Sequence, residues 1–198
     1  MGVLGGTFNP PHRGHLALAL HARRELALER VLLMPAHTAP NKSDGEHAGG
    51  WDPGPRHRLR MCTLAAAGVP GVVVCALEIQ RGGVSYTVDT LRALHASHPD
   101  AELTLIVGAD VAATLGCWRQ PEQLLELARV AVATRPGAAP APPNPRMELL
   151  ELPAIDVSSS LVRERVARGE PVADLVGGQV AAYIAEHGLY RVPAGVRP

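Results

Sequence analysis

Aromatic side chains make up only 3% of this 198-residue chain: one Phe, three Tyr and two Trp. An aromatic residue in a candidate site is therefore informative, and Trp118 is the best stacking candidate. Cysteine is equally sparse. Cys62, Cys75 and Cys117 are odd in number and lack C-x-x-C spacing, so no disulfide framework or zinc ribbon is encoded, and they read as reduced core cysteines. Charge of either sign is missing in excess, because 19 Lys and Arg balance 19 Asp and Glu. That removes the basic stripe of a nucleic-acid or membrane-surface protein. No apolar run approaches the ~20 residues needed to span a bilayer. The first residues run straight into a strand, so no secretory leader is expected and the cytoplasm is the expected compartment. The length suits one domain over residues 1–198.

What is present is glycine, small aliphatics and two polar motifs. Gly5-Gly6-Thr7-Phe8-Asn9-Pro10-Pro11-His12-Arg13-Gly14-His15 follows the apolar pair Val3-Leu4 and precedes an apolar-periodic stretch. That is strand, glycine turn, helix start. Free N–H groups and the positive end of the helix dipole collect at such a place, which suits an anion. His12 and His15 add donors for a polyphosphate on which charge builds up. Their spacing is not the H-E-x-x-H of a zinc helix, and no acidic third ligand is near, so no resident metal is expected. Late in the chain, Asp156-Val157-Ser158-Ser159-Ser160-Leu161-Val162-Arg163 follows a second apolar run, Leu149 to Ile155. The serines read as an N-cap and first turn, and Arg163 lies one turn inside. Hydroxyls, free N–H groups and a guanidinium fork make a second phosphate cradle.

Apolar runs and helical periods alternate along the chain, which predicts an α/β fold with a mostly parallel sheet flanked by helices. Strands are expected at Val3 to Gly5, Val31 to Met34, Val72 to Ile79, Leu103 to Val107 and Val130 to Ala133. Helices are expected at Leu16 to Leu28, Arg58 to Ala67, Val88 to Ala96, Pro121 to Ala128, after Ser158, and near Val180 to His187. Residues 36–55 form a long loop rich in Pro, Gly, Asn, Ser and Asp, of a length usually reserved for function. Residues 137–146 read as a Pro/Ala-rich surface connection. In a parallel sheet the ends carrying Gly5, Gly108 and Asp156 point the same way. Ligands bind outside such ends, at a topological switch point. His12, His15, Asp110, Ser159 and Arg163 should therefore ring one crevice. It offers donors and cations and no nucleophile elbow, which suits direct phosphoryl-type transfer.

The two motifs, in this order, resemble the H-x-G-H and I-S-S-T-x-x-R signatures of the nucleotidylyltransferase superfamily. Arg81-Gly82-Gly83-Val84-Ser85-Tyr86-Thr87-Val88-Asp89-Thr90-Leu91 resembles the R-G-G-x-S-Y-T-x-x-T-L segment of bacterial nicotinate-nucleotide adenylyltransferases. Val107-Gly108-Ala109-Asp110 with Trp118, and Thr134-Arg135-Pro136-Gly137, resemble two further segments of that family. The resemblance runs from about Gly2 to Tyr190. It implies a Rossmann-like nucleotidyltransferase fold and transfer of AMP from ATP to nicotinate mononucleotide. The products would be nicotinate adenine dinucleotide and pyrophosphate, with Mg²⁺ bridging the triphosphate. By the same resemblance, His12, His15 and Arg163 are the catalytic set. Gly5, Gly6, Thr7, Phe8, Gly108, Asp110, Ser158 and Ser159 join them round ATP. Asn9, Lys42, Ser85, Tyr86, Thr87 and Trp118 would hold the mononucleotide. Trp118 would stack on the pyridine, and the Ser85–Thr87 turn would receive its carboxylate.

Two positions depart from the family pattern. Asn9 stands where the bacterial family commonly has Asp, and Asn41 replaces the histidine of its P-P-H-K segment. Nicotinamide mononucleotide therefore remains an alternative acceptor; phosphopantetheine is another, since phosphopantetheine adenylyltransferases share the H-x-G-H and a similar S-S-x-x-V-R-E run, and a nucleotide-binding regulator remains the non-enzymatic alternative. Self-association into a homo-oligomer is left open. His21, His37, His47, His57, His95, His98 and His187 read as surface or structural, with His57 singled out because it opens a helix after the long loop.

Overall fold

The computed structural model describes residues 1–40, 52–134, 147–152 and 155–191. In chain order the elements are β1 (Gly2–Gly6), α1 (Arg13–Glu25), β2 (Val31–Pro35), α2 (Pro55–Ala66), β3 (Val72–Val74), α3 (Leu77–Arg81) and α4 (Thr87–Ser97). There follow β4 (Thr104–Gly108), α5 (Ala109–Ala112), a 3₁₀ turn at Leu115–Cys117, α6 (Pro121–Leu127), β5 (Arg129–Thr134) and β6 (Met147–Glu151). The chain closes with α7 (Ser159–Ala167), α8 (Ala173–Val176) and α9 (Gly178–Glu186).

The strands form one six-stranded sheet in the order β3-β2-β1-β4-β5-β6. Every pairing in it is parallel. Parallel strands need both faces covered. Successive residues of one strand accordingly enter different cores. Val3 and Leu105 join Leu91, Leu94 and Leu124 beneath α4 and α6. Leu4 and Ile106 join Ala19, Ala22 and Cys62 beneath α1 and α2. A third cluster, containing Met61, Val162, Val180, Ile184 and Tyr190, packs α7, α8 and α9 against α2. The strand order reverses between β1 and β4, and the carboxyl ends of both open into the same crevice.

Several expected elements shift. The run from Val72 to Ile79 is not one strand. Pairing stops at Val74, and Gln80 N–H already bonds the Ala76 carbonyl in helical fashion. The neighbouring β2 ends at Pro35, which has no N–H to offer, and Leu77 meets the core while Glu78 turns inward. The first helix begins at Arg13 rather than Leu16, which makes His12 its N-cap and puts His15 in its first turn. It ends at Glu25 rather than Leu28, and Ala27 beyond it has a φ of 48°. The last strand is Met147–Glu151, so Asp156 sits on an irregular segment beyond it and not at a strand end. Of the cysteines, all free, Cys62 is buried, Cys75 is half-buried and Cys117 is exposed, so only one is a core residue.

Candidate active site

β1 delivers the chain to the switch point, and the next six residues are held from three directions. Phe8 adopts a left-handed φ of 51° and the Asn9-Pro10 bond is cis. Arg58, 1% exposed, reaches up from α2. Its Nη1 donates to the carbonyls of Thr7 (2.9 Å) and Ala36 (2.6 Å), and its Nη2 to that of His37 (2.7 Å). Its Nε donates to Asp52 Oδ1 at 3.0 Å, which neutralises the buried charge. From α7, Arg163 Nη1 donates to the Asn9 carbonyl (2.7 Å), Nη2 to Ser160 Oγ (3.1 Å), and Ser159 Oγ donates to the Pro10 carbonyl (2.9 Å). Ser158 caps α7 by accepting from Leu161 N–H. The two motifs of the sequence therefore meet as neighbouring segments of one site.

The histidine pair is arranged by its own backbone. The N–H of His12 donates to Nδ1 of His15 at 3.2 Å. A neutral imidazole that accepts at Nδ1 carries its proton on Nε2, so His15 is set as an Nε2–H donor. The two rings stack at 3.7 Å between centroids, and the edge of Phe8 stands 4.8 Å from His15. Gly14 is required between them. A Cβ there would lie 3.0 Å from Val157 Cγ1 and 3.1 Å from His12 Nδ1. Burial pushes His12 down to about 4. Burial, and then repulsion from His12, pushes His15 down to about 3. Both rings are thus neutral donors at pH 7 rather than cations. His12 Nδ1 and Arg163 Nε are buried without a partner among the described residues. Such groups call for an oxygen from water or substrate.

Two cavities share His15 and Gly108. One, about 400 Å³, extends past Asp110 and Thr134 to Val157 and includes His12. The other, about 470 Å³, runs from Gly5, Gly6 and Thr7 to Ser85, Thr87 and Trp118. A Cβ at Gly5 or Gly108 would meet nothing within 4 Å, so both glycines leave the crevice floor open to a ligand. A side pocket of about 270 Å³ adds Tyr86, Cys117 and Arg119 round Trp118. A further concavity, about 850 Å³, lies at the amino ends of the strands, beside Glu102 and Arg129, away from the histidines.

Most expected site residues line the crevice or its cavities, and several also have partners within the protein. Asn9 turns its side chain to Tyr190, whose hydroxyl donates to Oδ1 at 2.7 Å. Ser85 holds the segment after β2, donating its N–H to the Thr38 carbonyl and accepting from His37 N–H at Oγ. Tyr86 is the N-cap of α4 and lies under the Arg119 guanidinium, 4.6 Å from it. Trp118 donates from Nε1 to Thr114 Oγ1 and leaves its ring on the wall of both the larger cavity and the side pocket. Lys42, Asn41, the Arg135–Gly137 segment, residues 137–146 and most of the 36–55 loop lie outside the described residues. His57 bonds Tyr183 Oη at 2.9 Å and joins α2 to α9, away from the crevice. Sequence reasoning missed Arg58 and Glu78. Arg58 had a signal, since its helical spacing places it on the same stripe as the buried Met61 and Cys62.

No group of three or more His, Cys, Asp or Glu able to hold a metal occurs among the described residues. Donors gathered at the switch point of an all-parallel sheet are the phosphate-binding arrangement of an α/β nucleotide-binding protein. The family described as Cytidylyltransferase-like matches residues 3–165. A Roseiflexus protein named "Probable nicotinate-nucleotide adenylyltransferase" is 45% identical over 201 residues, spanning 96% of this chain and 98% of its own length. A Geobacillus thermodenitrificans protein of the same name is 40% identical, spanning 96% and 85%. The chain belongs to the nicotinate-nucleotide adenylyltransferase family. The fold agrees with a solved Plasmodium falciparum nicotinic acid mononucleotide adenylyltransferase complexed with NaAD, at TM-score 0.74, 18% identity and 96% coverage of both chains.

Proposed function

We propose that this protein transfers AMP from ATP to nicotinate mononucleotide, releasing pyrophosphate and forming nicotinate adenine dinucleotide. The observation that carries the reading is the neutral His12–His15 pair at the start of α1, aimed into a crevice with one cavity on each side. ATP fits the side of Gly108 and Asp110, and the mononucleotide fits the side of Thr87 and Trp118.

A phosphate oxygen of the mononucleotide attacks the α-phosphorus of ATP. The bond from that phosphorus to the α,β-bridging oxygen breaks, and the electron pair leaves with pyrophosphate. No proton transfer is needed, because the nucleophile is already an anion. Catalysis is then positioning and charge stabilisation. His15 Nε2–H donates to an α-phosphate oxygen, with His12 on the β,γ side. Arg163, already anchored to the Asn9 carbonyl, turns its remaining N–H groups to the triphosphate. Ser159 ties α7 to the loop. ATP enters as its magnesium complex, with the ion carried on the phosphate oxygens. The chain is a single domain, and its free cysteines fit a reducing cytoplasm.

The test is pyrophosphate release from MgATP with nicotinate mononucleotide, nicotinamide mononucleotide and phosphopantetheine as competing acceptors. The highest kcat/KM is expected for the nicotinate form. Preference for another acceptor, or ATP binding without turnover, overturns the reading.

A further inference from the structure

Glu78 is the only acidic side chain among the described residues lining the 470 Å³ cavity. It stands at the start of α3 and is 6% exposed. Its Oε1 accepts from Thr90 Oγ1 at 2.6 Å, and Thr90 Oγ1 in turn accepts from Arg81 Nη2 at 3.0 Å. The hydroxyl thus pins one carboxylate oxygen. Oε2 has no hydrogen-bond partner, and no cation pairs with Glu78, among the described residues. That oxygen is open to the cavity, and a carboxylate oxygen accepts hydrogen bonds and nothing else.

An anionic substrate beside a carboxylate is acceptable only if it presents a donor there. Nicotinate mononucleotide has few. Its phosphate and its ring carboxylate are acceptors, and the pyridine ring bears no N–H. The ribose hydroxyls are its only donors at neutral pH. The same cavity holds His15 and Thr7 on the phosphate side and Trp118 on the ring side, which leaves the sugar for the wall between them.

We propose that Glu78 is a specificity-determining residue that accepts hydrogen bonds from the ribose hydroxyls of the acceptor mononucleotide. The proposal rests on the reaction proposed above. It makes the acceptor half of the site selective for a ribose with its diol intact. A site built to bond a hydroxyl rejects the analogue lacking it, because its own polar group is left unpaired.

The experiment compares kcat/KM for nicotinate mononucleotide and its 2′-deoxy and 3′-deoxy analogues in the wild type, Glu78→Gln and Glu78→Ala. The amide of Glu78→Gln can still accept from Thr90, and the melting temperature of each variant shows whether it folds. The wild type is expected to disfavour at least one deoxy analogue by about tenfold. In Glu78→Gln and Glu78→Ala that preference should shrink to a factor of about two, with the KM for ATP unchanged. An undiminished preference in a folded Glu78→Gln overturns the assignment. If the wild type turns over no mononucleotide at all, the proposed reaction itself fails and the role of Glu78 falls with it.

Discussion

Tyr190 donates its hydroxyl to Asn9 Oδ1 at 2.7 Å, with both residues 5% exposed. A side chain beyond the last described helix thereby fixes the loop that carries the histidines. Burial, reinforced by the charge of Asp52, raises the phenol far above its ordinary range, so it remains a donor at any working pH. Tyr190→Phe strands a buried amide oxygen and should lower unfolding stability by about 1–3 kcal/mol. Urea unfolding monitored by circular dichroism measures this. An unchanged midpoint would show that the bond contributes nothing.

His15→Ala should lower kcat/KM by roughly 10²–10³-fold while the chain stays folded, because one preorganised donor to a developing charge is worth about that much. His15→Gln keeps an N–H donor and should recover part of the loss. Steady-state pyrophosphate release reads both variants, and near-normal turnover in His15→Ala would place the donor elsewhere.

The depressed histidines also predict how stability follows acidity. An imidazole at about 4 or about 3 when folded, and near 6.5 when unfolded, binds more protons in the unfolded state between those values. Their contribution is complete above pH 6.5 and declines as pH falls toward 4. Unfolding free energy measured from pH 7.5 to 4.5 should fall more steeply in the wild type than in the double variant His12→Gln, His15→Gln. Parallel curves would contradict the burial of the pair.

Trp118→Ala should raise the KM for the mononucleotide well above its effect on ATP, since the ring borders the acceptor cavity and is absent from the Gly108–Val157 side. Equal changes in both constants would remove the tryptophan from the acceptor site.

Arg58→Met removes the guanidinium that donates to Asp52 Oδ1 and releases three carbonyls from separate segments. A loss of about 3–5 kcal/mol is expected from breaking the buried pair. Arg58→Met, Asp52→Asn should recover part of it in the same urea assay. A Met variant as stable as the wild type would mean that the guanidinium is not what joins these segments.

The sheet was readable in the sequence because β1, β2, β4 and β5 are short apolar runs closed by Gly, Pro or Thr. The places of His12, His15, Ser158 and Arg163 were readable because each stands within about one turn of a helix start. Other parts were not local. Glu78 turns inward from a short helix where an extended run was expected, and the Asn9 side chain is met by Tyr190, which lies 181 residues away. Arg58 stands among Arg56, His57 and Arg60; its helical spacing aligns it with the buried Met61 and Cys62, but not with its partners, the carbonyls of Thr7, Ala36 and His37. Backbone acceptors from distant segments leave no mark in composition or spacing.

The central place of β1 has a consequence for synthesis of the chain. Its neighbour β4 begins about a hundred residues later, and Arg163 meets Asn9 across 154 residues. A ribosome-bound chain that has exposed only its first half carries the histidine loop with one sheet neighbour and no arginine from α7. Translation therefore brings α7 and β4 to the histidine loop late, and a nascent fragment holding the most recognisable motif lacks the contacts that fix it.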